Sequence, residues 1–493
     1  MIRSRSNVIV AMNVLNVFCR ETARNMRIAV IGAGISGLTV AYRLAGSPVS
    51  WLPSADVTVF EANDWVGGHT HTVDVLLPAR LGAAVERQAI DTGFIVFNER
   101  TYPEFITLLD ELGVPSRPTE MSFSVRDERS GLEYCGSTLS GLFAQRRNLL
   151  RPRFYRMLAD IVRFNREVRR WRREKNDDVR VGEFLERERY SPEFAEHYLL
   201  PMGAAIWSCP LGRFAEFPIR FIAEFYENHG LLELRDRPIW RTITGGSRVY
   251  VERILARLGR PVRTRTPIAS VRRDAEGVEV SPVTGDPERF DHVVFACHSD
   301  QALRILGPAA TPTERELLSS FPYERNRAVL HTDTSYLPER RRAWASWNYR
   351  IAAESSGGTA PLAARPANVT YNMNILQGLR SRETFCVTLN PHRPIAPQRI
   401  LGEYEYHHPV FTHTRAASQA RHGELLGANR TSFCGAYWGN GFHEDGVRSG
   451  LAVVQAIRSL ASSSDGRSSR PGRWSAQEPM PRRSAVPPGS AVQ

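Results

Sequence analysis

The stretch Arg27-Ile-Ala-Val-Ile31-Gly32-Ala-Gly34-Ile-Ser-Gly37-Leu-Thr-Val-Ala-Tyr-Arg-Leu44 decides how the rest of the chain is read. A short β-branched run with no polar alternation marks a strand covered on both faces, as in a parallel sheet. It feeds at once into Gly-x-Gly-x-x-Gly, and the apolar residues beyond Gly37 recur at helical spacing. Gly32 permits the tight turn, Gly34 lets the backbone approach a pyrophosphate, and Gly37 lets helix and strand pack closely. The helix N-terminus then faces the negative charge, with Ala33 and Ser36 in the same cradle. A second run, Asp56-Val-Thr-Val-Phe60, ends in Glu61, an acid placed to accept a hydrogen bond from a ribose hydroxyl. Glu61 lies 24 residues past Gly37, a spacing lengthened by the loop at 47–55. Strand, glycines, helix, strand and acid in this order predict a dinucleotide site, which Gly-x-Gly-x-x-Gly alone would not.

The 493 residues are 42% hydrophobic and 24% charged, enough for two or three domains and unlike a collagen, a coiled-coil rod or a disordered chain. Six cysteines at 19, 135, 209, 297, 386 and 434 form no CxxC pair. That excludes a disulfide scaffold and a zinc ribbon and suits a reducing, cytoplasmic setting. The net charge of +12 is concentrated in residues 1–26, 146–189 and 461–493. The stretch 146–189 lacks the Gly and aromatic interleaving of a single-strand binder, so no nucleic-acid partner is expected. Lys175 is the sole lysine. Residues 8–19 are apolar but shorter than the ~20 needed to span a bilayer and lack a small-residue cleavage site. They read as part of an N-terminal extension, 1–26. The Ser-, Pro- and Arg-rich residues 461–493 read as a disordered tail.

Further along come Gly67-Gly68-His69 and Asp91-Thr92-Gly93-Phe94. Near the C-terminus, Phe433-Cys-Gly435-Ala-Tyr-Trp-Gly-Asn-Gly-Phe-His443-Glu444-Asp445-Gly446 leads into an amphipathic run ending at Ile457. A nicotinamide enzyme has no need of this second glycine-rich turn. A flavin does, because a helix N-terminus near its pyrimidine edge stabilises the charge of the reduced ring. This ordered set resembles the FAD-dependent amine oxidase, phytoene desaturase and protoporphyrinogen oxidase superfamily. More narrowly, Thr92-Gly-Phe, Asn228-His-Gly230, Gly245-Gly246-Ser-Arg-Val-Tyr250 and Gly441-Phe-His-Glu-Asp-Gly446 resemble bacterial NAD/FAD-binding proteins associated with cyclopropane-fatty-acid synthases. The resemblance spans residues 27–460.

It implies an α/β fold, with a Rossmann-like FAD-binding domain of the GR2 type built from 27–95, 236–310 and 425–460. An α+β substrate domain, 96–235 and 311–424, is inserted between those pieces. It places Gly32, Gly34 and Gly37 at the pyrophosphate, Glu61 at the ribose, and Gly68 and His69 near the phosphates, where amine oxidases usually carry Arg in place of His69. Thr92, Gly93 and Phe94 run beside the isoalloxazine, while Gly435 lies in the C-terminal flavin segment. Glu444 and Asp445 reach the ribityl and pyrimidine end through backbone amides. Val271 holds the adenine-reading position, and strand 291–296 closes that side. Cys434 does not match the amine-oxidase attachment cysteine, so non-covalent FAD is expected.

From Pro152 a helix is predicted, with Arg156, Arg163 and Arg170 spaced to meet anionic lipid headgroups and Arg163 paired to Glu167. The aromatic stretch 198–232 suits an apolar tunnel, and strands at 328–332, 343–349, 368–374 and 384–389 suit a substrate-domain sheet. Flavin implies hydride removal from a C–H bond. Lys175 cannot supply the lysine many amine oxidases hold beside the flavin, and Phe442 stands where monoamine oxidases carry a tyrosine of their amine-binding pair. The resemblance therefore implies an acyl-lipid substrate and desaturase-like chemistry. His443, His229 and Glu444 are candidates for the base, and no metal is expected. A redox-neutral flavoenzyme such as a sugar-nucleotide mutase and a flavin-free binding protein resembling Rab GDP-dissociation inhibitors are the alternatives. Peripheral contact with the inner face of the membrane is compatible with all of these.

Overall fold

A computed structural model describes residues 26–46, 55–77, 85–173, 179–233, 237–353, 366–412 and 414–464. Most of the extension, the loop at 47–54, Lys175 and the tail from 465 lie outside the described residues.

Strands β1 (Arg27–Ile31) and β2 (Asp56–Phe60) form as expected and pair in parallel, Arg27 opposite Asp56 and Ile31 opposite Phe60. β3 (His292–Phe295) lies parallel on the other side of β1, and β4 (Thr431–Phe433) beyond it, giving the order β4-β3-β1-β2. The sheet is thus assembled from three separated pieces of chain, in an α/β architecture. Alternate residues of a strand point to opposite faces, and β1 is covered on both. Ile28 and Val30 meet Leu38 and Val40 near helix α1 (Ile35–Ala41), together with Val453 and Ile457 of helix α2 (His443–Ser464). Ala29 and Ile31 point the other way, onto Val271, Val278 and Val280 of a three-stranded antiparallel sheet. This two-sided burial is why β1 shows no polar alternation.

Helix Pro103–Leu112 falls within the stretch assigned to the substrate domain. Its Phe105, Leu108, Leu109 and Leu112 nevertheless pack in the cluster under β1, because their spacing makes one apolar face that needs cover.

The strands expected between 328 and 389 form with shifted ends, as Tyr323–His331, Trp347–Ile351, Val369–Asn372 and Cys386–Leu389. Ala343, expected in a strand, ends a 3-10 turn instead. Ile400–Pro409 extends one edge of this sheet, and Phe123–Asp127 with Leu132–Cys135 extend the other, to seven strands. Beside it lies a helical layer built on Pro152–Arg173, whose Phe164, Val168 and Trp171 cluster with Phe184, Phe194, Ile222 and Tyr226.

Of the three arginines expected to face lipid on that helix, Arg156 is exposed and Arg163 is turned into the fold. Arg163 stacks on Tyr190 at 3.9 Å, donates to the Glu188 carbonyl at 3.1 Å and pairs with Asp160 at 3.5 Å and Glu167 at 3.7 Å. Its charge is consumed within the fold. Among the described residues, no helix is long and apolar enough to cross a membrane.

Candidate active site

A cavity of about 1480 Å³ runs from the glycine turn after β1 into the space between the seven-stranded sheet and the helical layer. Single-ligand pockets are usually roughly 300–1,000 Å³, so this one has room for a dinucleotide and a substrate together.

At the near end, Gly32 has φ +108°, and a side chain there would come within 2.8 Å of the Ala296 carbonyl oxygen. Gly34 has nothing within 4 Å of where a Cβ would sit, while a Cβ on Gly68 would lie 3.1 Å from the Gly34 Cα. The two backbones form a bare peptide shelf at the start of α1. Glu61 braces it: Oε2 accepts from the Ala33 amide at 2.9 Å, and Oε1 accepts from the backbone and side-chain nitrogens of Asn63, both at 3.0 Å. Oε2 keeps a second lone pair. His69 follows Gly68 on the wall, its ring 5.2 Å from Tyr406 and 5.3 Å from His408. Burial lowers its pKa to about 4, and its enclosed Nε2 has no hydrogen-bond partner. A shelf of free backbone, a helix N-terminus, an acid and an unpaired buried nitrogen fit a dinucleotide.

Gly93 and Phe94 also line the cavity. The residue before their loop, Asp91, accepts from Ser247 N at 2.9 Å, Ser247 Oγ at 2.7 Å, Thr72 Oγ1 at 2.5 Å and Gln377 Nε2 at 3.0 Å. That clamp ties the loop to the Gly245-Gly246-Ser247 turn. Burial raises Asp91 to about 6 against the Thr72 and Ser247 donors. Ser36, Gly435, Phe442 and His443 complete the inner wall.

Six expected contacts lie off the wall. The Ala33 amide is turned to Glu61. A Cβ on Gly37 would sit 2.0 Å from the Gly32 carbonyl oxygen, so it serves packing. Thr92 donates to the His71 carbonyl at 3.1 Å and lies 2.7 Å from the Tyr406 hydroxyl. Val271 is buried in the core, and Ile268 and Ala269 of the same strand meet the cavity in its place. Asp445 accepts from the Phe442 amide at 2.9 Å. Glu444 caps helix Pro103–Leu112, accepting from Glu104 N at 3.2 Å and Phe105 N at 3.0 Å, and burial raises it to about 7. Cys434 is buried in the core and also lies off the wall.

The three candidate bases therefore differ. Glu444 is a helix cap. His443 stacks on Phe94 at 3.5 Å, with Nε2 2.9 Å from Thr70 Oγ1 and 3.2 Å from the Tyr250 hydroxyl, and burial holds it neutral. His229 is different: its Nδ1 donates to the Phe225 carbonyl at 2.9 Å, which leaves Nε2 as an acceptor. The ring lies on the cavity wall, and burial lowers it to about 4.

Beyond His229 the wall is mostly apolar, with Tyr198, Met202, Ile206, Trp207, Phe225 and Tyr371 beside Ser208 and Arg237. The strand Ile400–Pro409 supplies Tyr404, Tyr406 and His408, which sequence reasoning missed. Its alternation, Glu403-Tyr404-Glu405-Tyr406, was the available signal. His298 was also missed; its Nδ1 is unpaired, and burial with nearby His69 and His407 lowers it to about 3. Among the described residues no group of three or more His, Cys, Asp or Glu is arranged to hold a metal ion.

The family model for flavin containing amine oxidoreductases matches residues 35–333. No protein of curated function matches the sequence. Solved structures share the fold over nearly the whole chain. A CLA-producing fatty acid isomerase from P. acnes aligns with TM-score 0.57 at 16% identity, covering 88% of this chain and 99% of that one. A putrescine oxidase bound to putrescine aligns with TM-score 0.58 at 16% identity over 88% and 99%. Cyclohexylamine oxidase from Brevibacterium oxydans IH-35A aligns with TM-score 0.59 at 19% identity over 89% and 100%. With the matched segment covering more than half its length, the chain belongs to the flavin containing amine oxidoreductases, FAD-dependent enzymes of oxidation and reduction.

Proposed function

We propose that this oxidoreductase takes hydride from an uncharged, hydrophobic substrate, a fatty-acyl lipid, in a desaturase-like dehydrogenation. The observation that carries this is the wall of the inner chamber. The acids on the cavity wall are Glu61, at the cradle, and Glu403 and Glu405, exposed on strand Ile400–Pro409 and paired with Arg327 and Arg325. An ammonium moved past Phe225 and Trp207 would meet no countercharge, and burying an unpaired ion costs several kcal/mol. An acyl chain gains by the same move, about 0.8 kcal/mol per buried CH2. The fold itself is neutral on the point, since it houses a fatty acid isomerase as well as oxidases of putrescine and cyclohexylamine.

Bound FAD would supply the hydride acceptor for one substrate C–H bond, and the proton lost from the adjacent carbon would pass to His229 Nε2 or to water. The protein's part is to orient that bond and keep water away. Phe442 lies 5.3 Å from Phe225 and 5.8 Å from His229, so the three rings form one side of the chamber next to the start of α2. His229 Nε2 is the acceptor for a hydroxyl or amide hydrogen on the substrate.

Replacing His229 with Phe keeps the flat ring and removes that acceptor, so KM rises about tenfold while bound flavin is unchanged. A dye-coupled assay with product mass analysis tests the whole reading. A long-chain acyl lipid loses two hydrogen atoms as the dye is reduced, and putrescine does not react. Turnover of the amine with none of the acyl lipid would overturn it.

A further inference from the structure

Residues 136–156 contain five arginines, at 146, 147, 151, 153 and 156, and no acid, though Arg153 lies 3.6 Å from Glu193. They also present the most exposed apolar side chains of the helical side: Leu150 is 88% exposed and Leu139 75%, joined by Leu149 and Tyr155. These leucines are not on a slack loop. Thr138 Oγ1 accepts from the Gly141 amide at 3.0 Å and starts the short helix Leu139–Leu142. Buried Gln145 accepts from Glu133 N at 3.0 Å and donates to the Gly131 carbonyl at 2.8 Å, while buried Asn148 donates to the Glu133 carbonyl at 3.3 Å. The segment is pinned by its polar residues, and its leucines are held outward. Phe143 packs beneath, 5.9 Å from Phe154 and 6.2 Å from Tyr155. The turn Arg341–Ala343 adjoins the short helix and adds exposed Arg341 and Arg342.

This surface adjoins the cavity. Gly136 and Ser137, the latter two residues before Leu139, are both exposed and on the cavity wall.

We propose that residues 136–156 seat the protein on an anionic lipid bilayer, with Leu139, Leu149, Leu150 and Tyr155 entering the acyl boundary. Arginines around them meet the headgroup charge, and the cavity wall at Gly136 and Ser137 faces the lipid. Exposed apolar area ringed by one sign of charge is the physical signature of such a contact. The delivery of substrate past those two residues rests on the acyl-lipid reading above; the docking itself does not.

Co-sedimentation of the full flavoprotein tests it, with vesicles of phosphatidylcholine alone and of phosphatidylcholine mixed with an equal amount of phosphatidylglycerol. The protein pellets with the anionic vesicles only, and high salt releases it. The double variant Leu139→Ser, Leu150→Ser binds roughly tenfold more weakly or worse. Arg146→Gln with Arg156→Gln loses affinity at low salt in the same way. None of these residues lines the cavity, so each variant keeps its flavin absorbance and its turnover of detergent-dispersed substrate. Wild-type protein left in the supernatant with both vesicles would overturn the proposal, as would variants that pellet like wild type. A self-associated dimer that the leucine variant dissociates would assign the patch to a second copy of the chain and overturn it too. Vesicle binding without turnover of any acyl lipid would contradict the substrate reading and leave the docking site standing.

Discussion

Lowering the pH from 6.5 to 5.5 removes several kcal/mol of stability from this protein, out of a total of about 5–15 kcal/mol for a typical fold. His229, His292 and His331 are buried, and His69, His298 and His408 stand on the cavity wall. Burial lowers all six, to about 4 for His69, His229, His292 and His331 and about 3 for His298 and His408. In the unfolded chain they titrate near 6.5. Below that pH the unfolded state binds protons that the folded state refuses, so stability falls as pH falls toward 4. Across the single unit from 6.5 to 5.5 each such group withdraws about 1 kcal/mol, and His392, His422 and His443, lowered by burial in the same way, add to the six.

Two buried carboxylates oppose this. Glu444, raised to about 7, and Asp91, raised to about 6, destabilise the fold when ionised. Acidification relieves them and returns about 2 kcal/mol over the same unit. Asp74 and Asp127 are held below the usual carboxylate range by hydrogen bonds, from Arg248 and Arg87 for Asp74 and from His197 and Arg129 for Asp127, and they act only at lower pH. Thermal unfolding by circular dichroism between pH 5 and 8, with FAD in excess, checks the sum. The melting temperature drops steeply below pH 6; a flat profile would contradict the neutral-histidine assignment.

Two glycines of one motif give opposite results. Gly34→Val leaves the apoprotein's stability within about 1 kcal/mol, because nothing stands within 4 Å of the new Cβ and φ is −75°. It fills the space left for a pyrophosphate, and FAD affinity falls by roughly a hundredfold or more. Gly37→Val instead drives a side chain into the Gly32 carbonyl oxygen, 2.0 Å from its Cβ, and costs about 3 kcal/mol or more of folding stability. Flavin content after gel filtration, set beside urea unfolding of the apoproteins, separates the two. Comparison of apoproteins matters because bound FAD itself stabilises the holoprotein. Equal flavin retention in wild type and Gly34→Val would place the dinucleotide elsewhere.

The cradle was legible because a dinucleotide imposes local rules on a short stretch: β1, its glycines and β2 follow in the expected order with the expected ends. What lies across the cavity was not legible, for physical reasons that differ by residue. Glu444 was expected to meet the flavin through its backbone amide, and its carboxylate caps a helix about 340 residues earlier in the chain. No local spacing reports such a contact. Val271 is buried in the core with Ile268, and the strand's register shifts between Ile268 and Ser270, so simple alternation along the sequence does not tell which of its residues meet the cavity. The arginine stripe on Pro152–Arg173 was spaced correctly for a surface, yet Arg163 found Tyr190, Glu188 and Asp160 from neighbouring turns and elements. His229 was legible as a candidate, whereas its separation from His443 needed the Phe225 carbonyl and the Thr70 hydroxyl in place.

The central claim is that an FAD cradle opens into a chamber built for an uncharged acyl chain, and an anaerobic titration tests it most directly. Purified holoprotein under argon is mixed with a long-chain acyl lipid dispersed in detergent, and in parallel with putrescine. The account predicts that the lipid bleaches the long-wavelength flavin band in proportion to the FAD later released by denaturation, while the amine leaves it unchanged. Bleaching by the amine alone, or a colourless protein that takes up no FAD, would contradict it.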